Sequence, residues 1–87
     1  MPVAVFQTSV KMRHSLVSRP KNDLTVFNDK QISLIDHTGK KTIIKAENIK
    51  NIELRGVSAK LIIADQMTLK FNFKNRATAQ QWLAIMN

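Results

Sequence analysis

Asn75-Arg-Ala-Thr-Ala-Gln-Gln-Trp-Leu-Ala-Ile-Met-Asn87 breaks with everything that precedes it. Ala79, Trp82, Leu83 and Met86 stand three or four residues apart, a spacing that predicts a helix with one apolar stripe, and that stripe carries the only tryptophan of the chain. Asn75 is well suited to the N-cap, because its side-chain oxygen can accept from an unpaired amide of the first turn. A closing helix of this kind needs an apolar surface to cover, so the remaining sequence must supply one.

The residues just before it alternate. Met67, Leu69, Phe71 and Phe73 fall on one side of a strand, and Thr68, Lys70, Asn72 and Lys74 on the other. Lys60 to Ala64 precedes them as the other arm of a hairpin around Asp65 and Gln66. Towards the N-terminus, Ala4 to Leu16 alternates over a long span and predicts a half-buried strand, bulged or broken midway. Ser18 to Asp23, with Pro20 and mostly polar residues, reads as a loop. Leu24–Phe27 and Lys30–Ile35 read as a hairpin whose turn residues, Asn28 and Asp29, tolerate left-handed backbone. Asp36 to Gly39 forms a further turn, with Gly39 at a position of positive φ. Thr42 to Lys45 is a short β-branched strand. Ala46, Glu47 and Asn48 interrupt it, and the spacing of Ile49 and Ile52 suggests a helical turn or bend leading into the next strand. Arg55 and Gly56 turn the chain again. The expected architecture is mainly β: about seven strands closed by one C-terminal amphipathic helix, in a single domain over residues 1–87.

This order of elements resembles the pleckstrin-homology (PH) superfold, and in detail the short bacterial PH-like and GRAM-like domains. The resemblance rests on Leu24-Thr-Val-Phe-Asn-Asp-Lys-Gln-Ile-Ser-Leu34, similar to that group's second and third strands. It rests also on Ile43-Ile-Lys-Ala-Glu-Asn-Ile-Lys-Asn-Ile-Glu-Leu54, similar to its strand, acidic residue, isoleucine and strand passage. It implies a bent, seven-stranded antiparallel sandwich or barrel whose C-terminal helix plugs an open end. Many PH domains carry a tryptophan in that helix, and a large aromatic can fill the mouth of a small barrel. Phe71, Phe73, Trp82, Leu83 and Met86 are therefore expected in the core.

Composition narrows the function. The 87 residues include 14 Lys and Arg against 6 Asp and Glu, for a formal charge of +8. Such a field concentrates anionic partners: nucleic acid, an acidic membrane leaflet or an acidic protein. The bland alternative is a solubilising surface. With no cysteine, the chain has no disulfide and no thiolate ligand or nucleophile. No N-terminal leader pattern and no uninterrupted apolar span stands out, and a soluble, cytoplasmic protein is expected.

A basic group, Lys11, Arg13, Arg19 and Lys21, brackets the first loop. In phosphoinositide-binding PH domains that loop supplies a lysine and a following basic pair to the headgroup, and Lys11, Arg19 and Lys21 loosely imitate that spacing. The resemblance thus implies an anion or lipid site, to be weighed against loose attraction to anionic lipid and against a merely solvated face. Lys70-Phe-Asn-Phe-Lys74 mixes aromatic and basic residues as RNA-stacking strands do, but Phe71 and Phe73 continue an apolar stripe and are expected inside. Nucleic-acid binding would then rest on charge alone, nonspecific and salt-sensitive.

His14 and His37 have no ligand-spaced companions. Asp23, Asp29, Asp36 and Asp65 fall in turns or at strand ends, Glu47 and Glu53 lie on the bent segment, and no acid and base are placed around one substrate. No catalytic residue, metal site or cofactor is expected. Ala84 and Ile85 lie beside the helix stripe and form a candidate protein-interaction edge, unless the apolar face is wide enough to bury Ile85 as well. The expectation is a non-enzymatic interaction module. Its partner is an acidic protein or assembly, or next an anionic membrane surface, with nonspecific nucleic-acid binding by a small basic phage or mobile-element protein as the alternative. The oligomeric state is left open.

Overall fold

The computed structural model describes residues 2–13, 21–64 and 67–87. It is mainly β, with seven antiparallel strands and one C-terminal helix: β1 Ala4–Met12, β2 Lys21–Phe27, β3 Ile32–Ile35, β4 Lys41–Ile44, β5 Ile49–Arg55, β6 Ser58–Ile63, β7 Met67–Phe73 and α1 Arg76–Met86. A 3₁₀ turn, Ala46–Asn48, links β4 to β5 where the polar interruption was expected. The strand order is β4-β3-β2-β1-β7-β6-β5. Two meanders, β1 to β4 and β5 to β7, are thus joined where β7 returns beside β1.

Six steps of about 4.8 Å would make a flat sheet nearly 29 Å wide. Yet Ile44 of β4 and Leu61 of β6, from opposite halves, share one apolar cluster with Val10, Leu24, Phe71 and Trp82. The sheet therefore curls around that cluster in a sandwich-like arrangement, and α1 seals it with Ala79, Trp82 and Met86. Phe71, Phe73 and Trp82 meet there with ring centroids 5.2–5.7 Å apart, two of the three pairs edge-on.

The N-cap is in place, since Asn75 Oδ1 accepts from the Thr78 amide at 2.8 Å. Gly39 has φ +88° and Gly56 φ +62°, which suits glycine at these turns.

Several boundaries differ from expectation. β2 begins at Lys21, so Lys21, Asn22 and Asp23 belong to a strand and not to the loop. Their pairing with Lys11, Val10 and Ser9 overrides their polar composition. The irregularity of β1 lies near its start, between Ala4 and Phe6, not midway. In the β2–β3 turn the left-handed residue is Lys30, at φ 68°, not Asn28 or Asp29. A three-residue hairpin loop places the left-handed position third. Asn28 and Asp29 act instead through their side chains, accepting from the amides of Val3 and Gln31.

Met67 also departs from its stripe: it is 57% exposed, whereas Phe71 and Phe73 are buried. Its partner is Ile63, at the end of the β6–β7 ladder away from the helix. Leu16, the Asp65–Gln66 turn and Pro20 lie outside the described residues. Among the described residues no helix is long and apolar enough to cross a membrane.

Candidate functional site

Alternation puts Val10, Met12, Ala59, Leu61, Phe71 and Phe73 into the core. The residues between them must face outward, and register decides which of them become neighbours. Arg55 pairs with Ser58, Ser58 with Asn72, Asn72 with Lys11, and Lys11 with Lys21. These five residues form one row across β5, β6, β7, β1 and β2. Two residues along each strand, about 6.7 Å away, lies a second row: Glu53 pairs with Lys60 and Lys60 with Lys70. Arg13 completes it, because its amide donates to the Lys70 carbonyl at 3.0 Å.

One outer face therefore carries Lys11, Arg13, Lys21, Arg55, Lys60 and Lys70, with Glu53 the one carboxylate in the two rows. Glu53 lies 3.7 Å from Lys60 across the strands, and both side chains are well exposed. Such a pair contributes little to stability and neutralises only one of the cations. Lys11 opposite Lys21 and Lys60 opposite Lys70 are like charges in directly facing positions, an arrangement that costs a few tenths of a kcal/mol per pair.

Open depressions lie on this face, and two of them hold most of its cations. One, of about 570 Å³, has Ser9, Lys11, Lys21, Asn72 and Lys74 along its wall. The other, of about 440 Å³, is lined by Arg13, Glu53, Arg55, Ser58, Lys60 and Lys70. Asn72 Oδ1, between them, and Arg13 Nε are buried and have no hydrogen-bond partner.

The sequence-derived basic group is thus partly assembled. Lys11 and Lys21 face each other and Arg13 shares their side of the sheet, while Arg19 lies outside the described residues. Reading the chain locally missed Arg55, Lys60 and Lys70 as members of the same surface. The signal was present as polar alternation in each strand, but only the register joins the strands.

The remaining candidates sit apart. Ala84 is exposed, whereas Ile85 and Leu83 are half-buried and pack against the core, so little of the helix edge is apolar surface. His37 is an exposed turn residue and His14 lies outside the described residues. Asp36 organises its own turn. Its Oδ1 accepts from the Thr38 hydroxyl at 2.6 Å and from the amides of Thr38 and Lys40 at 2.9 and 3.0 Å. The Thr38 hydroxyl chiefly, with those amides, holds the Asp36 carboxyl below its ordinary value. Asp23 lies within β2, opposite Ser9 and Ile35, and not in a turn. Among the described residues no three His, Cys, Asp or Glu side chains gather as a metal-binding group. No protein-family model matches the chain, and no curated protein matches it.

Proposed function

We propose that this chain is a non-enzymatic, PH-like interaction module that binds an acidic protein partner through the outer face of β2, β1, β7, β6 and β5. The supporting observation is the pair of cross-strand rows, which concentrates six cations against Glu53 on an open surface. Strand pairing holds these cations at regular spacings, so an acidic segment meets several at once without the protein having to reorganise.

An anionic membrane ranks next. It would gain about 1 kcal/mol per basic residue from surface charge, but the two rows hold no large apolar side chain to enter the lipid. Nucleic acid ranks third, because Phe71 and Phe73 are buried and leave no stacking platform on β7.

The test is retention on an immobilised Asp/Glu-rich peptide, on phosphatidylserine vesicles and on DNA, at low and at physiological salt. Binding that persists at physiological salt for the peptide alone is the expected outcome. The double reversal Lys11→Glu with Lys21→Glu should keep the fold and lower peptide affinity by at least about tenfold, since each lost charge-assisted contact is worth roughly 1.5 kcal/mol or more. Stronger retention on vesicles or DNA than on peptide would overturn the assignment.

A further inference from the structure

The 440 Å³ depression differs from its 570 Å³ neighbour in its two guanidinium groups and in lodging its excess charge in a smaller volume. Its lining holds Arg13, Arg55, Lys60 and Lys70 against Glu53, an excess of three positive charges around one small volume. Arg13 lines the depression and its guanidinium Nε is buried without an acceptor, while Ser58 offers a hydroxyl beside Arg55 and opposite Asn72. A buried donor that lacks an acceptor is a standing cost to the folded protein, and an anion that drew the Arg13 guanidinium outward into the depression would remove it. Lys60 and Lys70, held directly opposite each other, would likewise gain from a shared counter-charge.

The charge count sets the ligand class. One carboxylate, or one phosphodiester with its single charge, leaves most of the excess uncompensated. A phosphomonoester carries close to two charges at neutral pH and three acceptor oxygens. Guanidinium groups offer donors in a planar fork that matches two of those oxygens, and the two lysines add point charges. We infer that the depression between Arg13, Arg55, Ser58, Lys60 and Lys70 binds a phosphomonoester carried by the acidic partner, so that phosphorylation of that partner strengthens its attachment to this face. This inference rests on the proposed binding of an acidic protein and adds a phosphate-specific site to it.

The test uses the whole chain at physiological salt with three probes: an Asp/Glu-rich peptide containing one central phosphoserine, the same peptide with serine, and inorganic phosphate. The phosphopeptide should bind at least about tenfold more tightly than the serine peptide, as expected for one or more new charge-assisted hydrogen bonds. In Arg13→Gln, and independently in Arg55→Gln, that ratio should fall towards one. Weak competition by inorganic phosphate against the phosphopeptide would agree with a site that also uses the surrounding peptide. Equal binding of the two peptides would overturn the phosphate site and leave acidic-partner binding standing. Failure of both peptides to bind would overturn both. Tight binding of inorganic phosphate with no preference between the peptides would assign the depression to a free anion and refute the partner-borne phosphate. A ratio unchanged in both variants would place phosphate recognition elsewhere and refute this site.

Discussion

Trp82 is wholly buried and contacts Phe71 and Phe73, so its indole occupies the space that the curled sheet leaves open at the helix end. Removing it leaves a cavity that a small, close-packed core cannot collapse to fill. Trp82→Ala should cost about 3–5 kcal/mol, comparable to the whole stability of a small domain, and a thermal melt would show partial or complete unfolding. A melting temperature within a degree or two of wild type would contradict the plug. The indole N–H is buried without a hydrogen-bond partner, so size and shape are what favour tryptophan here. Asp36 makes a second prediction. Its folded-state pKa lies below the unfolded value, so its stabilising contribution is present above the ordinary carboxylate range and is lost as pH falls through the folded pKa. In urea titrations wild type should be more stable than Asp36→Asn at neutral pH, and the gap should narrow in acid. A gap independent of pH would refute the assignment of the Thr38 and amide hydrogen bonds to the ionised carboxylate.

Among the elements, α1 depends most on a single side chain at its start. With Asn75 Oδ1 bound to the Thr78 amide, Asn75→Ala should destabilise the protein by about 1 kcal/mol, measurable as a lower urea midpoint at unchanged slope. No effect would mean that another group or water caps the helix equally well. This cap and the 3.6-residue period are local, and both were legible in Asn75-Arg-Ala-Thr and in the spacing of Ala79, Trp82 and Met86. Hairpin positions were legible for the same reason, since Gly39, Gly56 and the polar clusters around them punctuate the chain. What escaped local reading was decided by partners. Lys21 to Asp23 look like loop until β1 offers them a ladder, and Lys30 takes the left-handed position because the loop length assigns it there. Met67 belongs to an apolar stripe by sequence, but the helix covers only the Phe71 and Phe73 end of it.

At the scale of the whole molecule, the basic surface follows from non-local pairing. Each of β1, β2, β5, β6 and β7 contributes one or two outward cations that mean little alone, since a solvated polar face would show the same alternation. Register turns them into two rows. The sequence therefore revealed half of the candidate site, Lys11, Arg13 and Lys21, which are close along the chain. It concealed the other half, Arg55, Lys60 and Lys70, which join the first three only because β7 returns beside β1. That return also closes the core, so the contacts that stabilise the fold are the ones that assemble the charge. Whether this face takes an acidic partner can be read from amide chemical-shift mapping with an Asp/Glu-rich peptide at physiological salt. Shifts should concentrate at Lys11, Arg13, Arg55, Lys60 and Lys70 and their strand neighbours. Shifts confined to β4 or to α1 around Ala84, or no shifts at all, would contradict acidic-partner binding at this face.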